Sequence, residues 1–200
     1  LTSEQKNKID EALKSLAGFL TDTQKESVYI LRGYAGTGKT SLVGALVKTM
    51  DNLKQKAVLL APTGRAAKVF SSYSGHPAFT IHKKIYRQKS FSNDVSNFSL
   101  NDNLNTHTLF IVDEASMISN EGLAGNMFGS GRLLDDLIQF VYSGTGCRLM
   151  LMGDTAQLPP VGENEGPALS SEALSAYGLN VVETNLTEVV RQVQVSGILW

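Results

Sequence analysis

Residues 61–90 contain no aspartate or glutamate, although the chain as a whole carries 19 acids against 18 Lys/Arg, for a formal net charge of −1. That stretch holds Arg65, Lys68, Lys83, Lys84, Arg87 and Lys89, whereas residues 91–200 set three Lys/Arg against thirteen acids. The near-neutral total hides a basic island, which reads either as a binding face for a polyanion or as a solvated surface. Cysteine is almost absent as well. A lone Cys147 excludes an intrachain disulfide and a thiolate metal cluster, and points to a reducing, cytoplasmic setting. No apolar run approaches the roughly 20 residues that a membrane-spanning helix needs. With 42% hydrophobic and 18% charged residues over 200 positions, the composition is that of one globular domain able to bury a core.

The most informative stretch is "LRGYAGTGKTSLVGAL" (31–46). It fits G-x-x-x-x-G-K-[ST], with Gly33, Gly38, Lys39 and Thr40 in the fixed places. Around such a loop the backbone N–H groups of Ala35, Gly36, Thr37, Gly38, Lys39, Thr40 and Ser41 turn inward to cradle nucleotide phosphates. The helix that follows adds the positive end of its dipole. Lys39 is then placed to reach the β- and γ-phosphates of ATP, and the Thr40 hydroxyl to ligate Mg²⁺. The context fits too, because "SVYILRG" before the loop reads as a buried strand and "SLVGALVKTM" after it has helical spacing.

The rest of the chain alternates in the same way. Ile9, Leu13, Leu16 and Leu20 make the stripe of an opening helix with Thr2 or Ser3 as its cap. "KAVLLAPTG" (56–64), "HTLFIVDEAS" (107–116), "CRLMLMGD" (147–154) and the segment near 179–183 read as further strands. Helices are predicted over 40–50, over 65–75 with Gly75 as its stop, over 80–88, and near 133–142. Residues 89–106, rich in Ser and Asn, read as a long loop or small excursion. Near-continuous apolar strands between helices imply an α/β fold of three layers, a P-loop NTPase with a mostly parallel sheet of about five strands. In such sheets the ligand sits at the carboxyl ends of the strands, where Gly33, Thr63, Asp113 and Gly153 all fall.

"LFIVDEAS" sets Asp113 and Glu114 at the tip of one of those strands. Asp113 suits a Mg²⁺ ion held mainly through water, and Glu114 the water that attacks the γ-phosphate. The plainer alternative is a surface acid pair capping the next helix. In "GDTAQLPPV" (153–161), Gln157 lies just past another strand, where it either touches the γ-phosphate or its attacking water or belongs to an ordinary loop with Asp154 as a helix cap.

Together these segments resemble the superfamily 1 DNA helicases, and within them the RecD-like and Dda-like branch of the exodeoxyribonuclease V α-subunit type. "LTSEQ", "GYAGTGKT", "APTGRAAKVF", "TIH", "IVDEASM", "GDTAQLPPVGEN" and "LTEVVRQ" occur in the family's order and span residues 1 to about 192. The resemblance implies that the 200 residues are a first RecA-like, ATP-binding domain. It implies that Gln5 reads the adenine edge, that Gln157 couples the γ-phosphate to DNA, and that Arg191 contacts the γ-phosphate; a surface salt bridge is the bland reading of Arg191. It also implies that Pro62, Thr63, Gly64, Arg65, Lys68, Thr80 and His82 grip single-stranded DNA. Phe70, Tyr73, Phe79 and Tyr86 lie nearby as stacking platforms or as core. No second ligand stands at a suitable spacing to make His82 a metal ligand.

The family works with a second RecA-like domain, which supplies an arginine finger and half of the DNA track. The chain ends at Trp200 before one could appear and starts without methionine, so it is expected to be a piece of a longer protein, weakly active or inactive alone. The resemblance implies unwinding, 5′→3′ movement and recombination or repair partners only for that longer protein. Two other readings use the same phosphate loop: a small-molecule kinase, and a nucleotide-gated binding module in which Glu114 does no chemistry. RNA in place of DNA also stays open.

Overall fold

The apolar runs at 28–31, 109–112 and 149–152 are buried at every position, as central strands covered on both faces must be. The structure is a computed structural model that describes residues 3–22, 26–33, 38–88, 98–122, 128–154 and 166–186, without the side chains of 4–6 and 8–9. In chain order its elements are α1 (Ser3–Thr21), β1 (Ser27–Gly33), α2 (Lys39–Asn52), β2 (Lys56–Ala61), α3 (Gly64–Ser74), β3 (Ala78–Thr80) and α4 (Ile81–Ile85). Then follow β4 (Tyr86–Gln88), β5 (Phe98–Leu100), β6 (Thr108–Val112), α5 (Leu133–Ser143), β7 (Arg148–Gly153), α6 (Ser171–Ser175) and β8 (Asn180–Leu186).

Among the described residues, six strands form one parallel sheet in the order β3-β2-β6-β7-β1-β8. Side chains alternate across it with period two and feed two cores. Val28, Ile30, Phe110, Val112, Leu149 and Leu151 meet Ile81 and Ile85 of α4 and Leu134, Leu137 and Val141 of α5. Tyr29, Leu31, Ile111, Met150 and Met152 meet Leu16 and Phe19 of α1, Val43, Val47 and Met50 of α2, and Phe70 of α3. The three-layer α/β architecture is the expected one. No helix among the described residues is long and apolar enough to cross a membrane.

The order matters for chemistry. β1 lies beside β7, and β7 beside β6, with Arg32 opposite Gly153 and Leu151 opposite Val112. Because the strands are parallel, Gly33, Asp154 and Asp113 leave the sheet at one edge. β2 runs next to β6, and the Asp113 N–H donates to the Leu60 carbonyl at 3.0 Å, so Thr63 and α3 join the same edge.

The expected sheet of about five strands stands, the sixth among the described residues being the three-residue β3. The predicted 80–88 helix is corrected to the five residues of α4. The remainder, β4, pairs antiparallel with β5 from the stretch read as loop. Three-residue strands are too short to show a period, so their pairing was invisible locally. Residues 89–97 lie outside the described residues.

Gly153 closes β7 where backbone approaches backbone. A Cβ there would stand 2.9 Å from Leu169 Cδ1, 3.3 Å from Ser116 N and 3.4 Å from Ala115 N. We expect Gly153→Val to destabilise the fold by about 1–3 kcal/mol through overpacking and to displace the segment after Glu114. Denaturant unfolding of the variant checks this; an unchanged midpoint would show that the 115–117 turn yields freely.

Candidate active site

Gly38 is the one residue of the phosphate loop proper, between Gly33 and α2, that is described; Ala35, Gly36 and Thr37 lie outside. It holds φ 93° and ψ 11°, a left-handed conformation suited to glycine, and starts α2 with no side-chain cap. The first turn of α2 also holds no acid, so its N-terminal dipole is not answered there by the chain's own carboxylates. Lys39, Thr40 and Ser41 open that helix. The Lys39 ammonium donates to the Gly33 carbonyl. Burial pushes its pKa below the usual lysine value, while Asp154, Asp113 and Glu114, in that order, oppose the shift. One ammonium is thus coupled to three carboxylates that directly follow β6 and β7.

Asp113 and Asp154 are each 9% exposed. Asp113 is held at both oxygens, Oδ1 accepting the Glu114 N–H at 2.8 Å and Oδ2 the Tyr73 hydroxyl at 2.7 Å. Glu114 has φ 53° and ψ 37° as the chain leaves β6 for a 3₁₀ turn at Ala115–Met117. A left-handed glutamate costs strain, and such strain concentrates at functional positions. One residue before the loop, Arg32 donates from Nε to the Leu169 carbonyl and from Nη1 to Glu183, both at 2.8 Å, which ties β1 to β8 and the turn before α6.

The basic island meets this edge through α3. The Thr63 hydroxyl oxygen caps that helix by accepting the Ala66 N–H at 3.1 Å, and Gly75 ends it at φ 72°. Thr80 caps α4 in the same way from the Lys83 N–H at 3.2 Å. These hydroxyl oxygens serve helix termini. Gly64, Arg65 and Lys68 are exposed and Pro62 is half-buried. His82 is half-buried against Tyr86 and Phe128, with ring centroids 5.5 and 4.9 Å away, and burial pushes its pKa down.

Of the four aromatics, Phe70 is fully buried and Tyr86 is 7% exposed, with its hydroxyl donating to the buried Asp136 at 2.6 Å. Tyr73 faces inward, stacked on Phe70, and burial followed by Asp113 raises its pKa far above the ordinary phenol range. Phe70 and Tyr86 are therefore core residues, and half-buried Tyr73 has its hydroxyl taken up by Asp113. Phe79 is 38% exposed, with Lys83 Nζ 5.6 Å from its ring centroid. The hydrogen bond from Tyr73 to Asp113 and the support from Arg32 are not legible in the sequence. Helical spacing from Ala67 and Phe70 could have turned Tyr73 inward, but its partner lies 40 residues away. Gln5 falls on the first turn of α1 with its side chain outside the described residues, as are Gln157 and Arg191 entirely.

A phosphate-loop lysine, a helix N-terminus and paired acids at one edge of a parallel sheet define a RecA-like P-loop NTPase domain. The chain belongs to the AAA domain family, which matches residues 2–198. It is 30% identical over 200 residues to the ATP-dependent RecD2 DNA helicase of Deinococcus radiodurans, covering 100% of this chain and 23% of that protein. It is 27% identical over 194 residues to the ATP-dependent DNA helicase dda of Enterobacteria phage T4, covering 96% of this chain and 39% of that one. Unliganded Pif1 from Bacteroides sp. shares the fold with a TM-score of 0.54 at 22% identity, over 96% of this chain and 42% of that structure. The resemblance to the RecD and Dda type is borne out for the domain, and the chain spans less than half the length of each of these relatives.

Proposed function

We propose that this chain is the ATP-binding motor domain of a DNA helicase, whose full-length form couples MgATP hydrolysis to movement along single-stranded DNA. The observation that carries this reading is the convergence of Lys39, Asp113, Glu114 and Asp154 on the sheet edge from which α3, with Arg65 and Lys68 in its first turns, also departs. Lys39 exchanges the Gly33 carbonyl for phosphate oxygens. Thr40 and Asp113 offer a hydroxyl and a carboxylate, a hard-oxygen pair suited to Mg²⁺ bound jointly with a nucleotide, and the ion when bound neutralises charge on the β- and γ-phosphates. Glu114 accepts the proton of the attacking water. Gln5, Gln157 and Arg191 take the adenine, coupling and γ-phosphate roles that the resemblance implies. A second RecA-like domain would close the cleft, the compartment would be the cytoplasm, and recombination or repair subunits would be the partners.

Strand binding is tested by fluorescence anisotropy of a labelled single-stranded oligonucleotide across a salt series. The double variant Arg65→Ala, Lys68→Ala should bind more weakly at low salt, with a log K against log salt slope shallower by about 0.7 for each phosphate that is no longer neutralised. Unchanged affinity and slope would make the basic island a solvated face. A matched RNA arm distinguishes the polymers.

A further inference from the structure

We propose that Tyr73 is a positioning residue through which a strand held at the start of α3 acts on Asp113. The inference rests on the motor reading and names a coupling residue within it. α3 is one uninterrupted helix from Gly64 to Ser74, with exposed Arg65 and Lys68 in its first turns and Tyr73 in its last. At about 1.5 Å per residue, the capping Thr63 and Tyr73 lie some 15 Å apart along one rigid element. The Tyr73 ring is fixed by stacking on Phe70, with centroids 5.2 Å apart and planes 21° apart, and Phe70 is itself fully buried. Its hydroxyl therefore has little freedom of its own and moves with the helix.

That hydroxyl reaches Asp113 Oδ2 at 2.7 Å, while Oδ1 is held locally by the Glu114 N–H at 2.8 Å. Of these two hydrogen bonds, the one from Tyr73 comes from another element. Donor–acceptor bonds to a carboxylate weaken steeply with distance and angle. A small displacement of α3 at its polymer-facing end therefore changes how firmly the Asp113 carboxylate is oriented. Groups that hydrogen-bond a metal-ligating carboxylate tune metal affinity in this way.

The test titrates Mg²⁺ into full-length protein with a fluorescent, non-hydrolysable ATP analogue, with and without a single-stranded oligonucleotide. Tyr73→Phe keeps the ring and its stacking and removes the hydroxyl. We expect the half-saturating Mg²⁺ concentration to rise about tenfold and to stop responding to the oligonucleotide, while Mg²⁺-free nucleotide affinity and oligonucleotide affinity stay at wild-type values. Phe70→Leu, which loosens the stack but keeps the hydroxyl, should show a smaller rise in the same direction. If Tyr73→Phe matches wild type in its Mg²⁺ dependence, or loses Mg²⁺-free nucleotide affinity to the same degree, the positioning role is overturned. If the wild-type protein binds no oligonucleotide, the motor reading itself fails, and this inference falls with it.

Discussion

Lys39→Ala is expected to lower ATP turnover by about 10²–10³-fold, the loss that follows when one preorganised group facing transition-state charge is removed. The physical case is stronger here than for an isolated cation. The ammonium is half-buried and flanked by Asp154, Asp113 and Glu114. Without it, the charge of three carboxylates is no longer offset by this ammonium as a triphosphate approaches, so repulsion weakens binding as well as chemistry. The variant should therefore raise KM and lower kcat together. Phosphate-release kinetics and binding of a fluorescent ATP analogue read the two effects separately. Full turnover in Lys39→Ala would mean that the phosphates lie elsewhere.

Glu114→Gln separates chemistry from binding. The two side chains have the same shape, and glutamine tolerates the left-handed backbone at φ 53° much as glutamate does, so no new strain enters. What is lost is a proton acceptor. Turnover should fall by about 10³-fold, within the usual contribution of a positioned general base, while nucleotide affinity stays close to wild type. Single-turnover hydrolysis beside equilibrium binding checks the split. An unchanged rate would favour the nucleotide-gated module, in which ATP is held as a signal.

Much of this architecture is legible in the chain because parallel strands buried on both faces read as unbroken apolar runs. The segments of β1, β2, β6 and β7 are of that kind, and the acids and glycines that follow them mark the functional edge without any coordinates. Gly75 likewise announces the end of α3, and its φ of 72° is the reason. Elements of three residues carry no such signature. β3, β4 and β5 are defined by partners in space, such as Tyr86 opposite Leu100, and neither residue alone says so. The same division runs through the site. Lys39, Asp113 and Glu114 follow from backbone motifs, whereas the hold of Tyr73 on Asp113 and of Arg32 on Glu183 joins residues 40 and 151 positions apart. Thr63 and Thr80 fall between these cases, since a threonine just before a helix is readable as a cap and the resemblance drew attention to DNA instead.

One sheet edge is proposed to join ATP chemistry to a single-stranded polymer. Steady-state ATP hydrolysis by the full-length protein tests it most directly, alone, with single-stranded DNA and with RNA, beside Lys39→Ala. The expected result is a rate raised many-fold by DNA and lowered by about 10²–10³-fold in Lys39→Ala whether or not DNA is present. A rate indifferent to both polymers would contradict it, leave residues 61–90 as a solvated basic face, and favour a small-molecule phosphoryl acceptor.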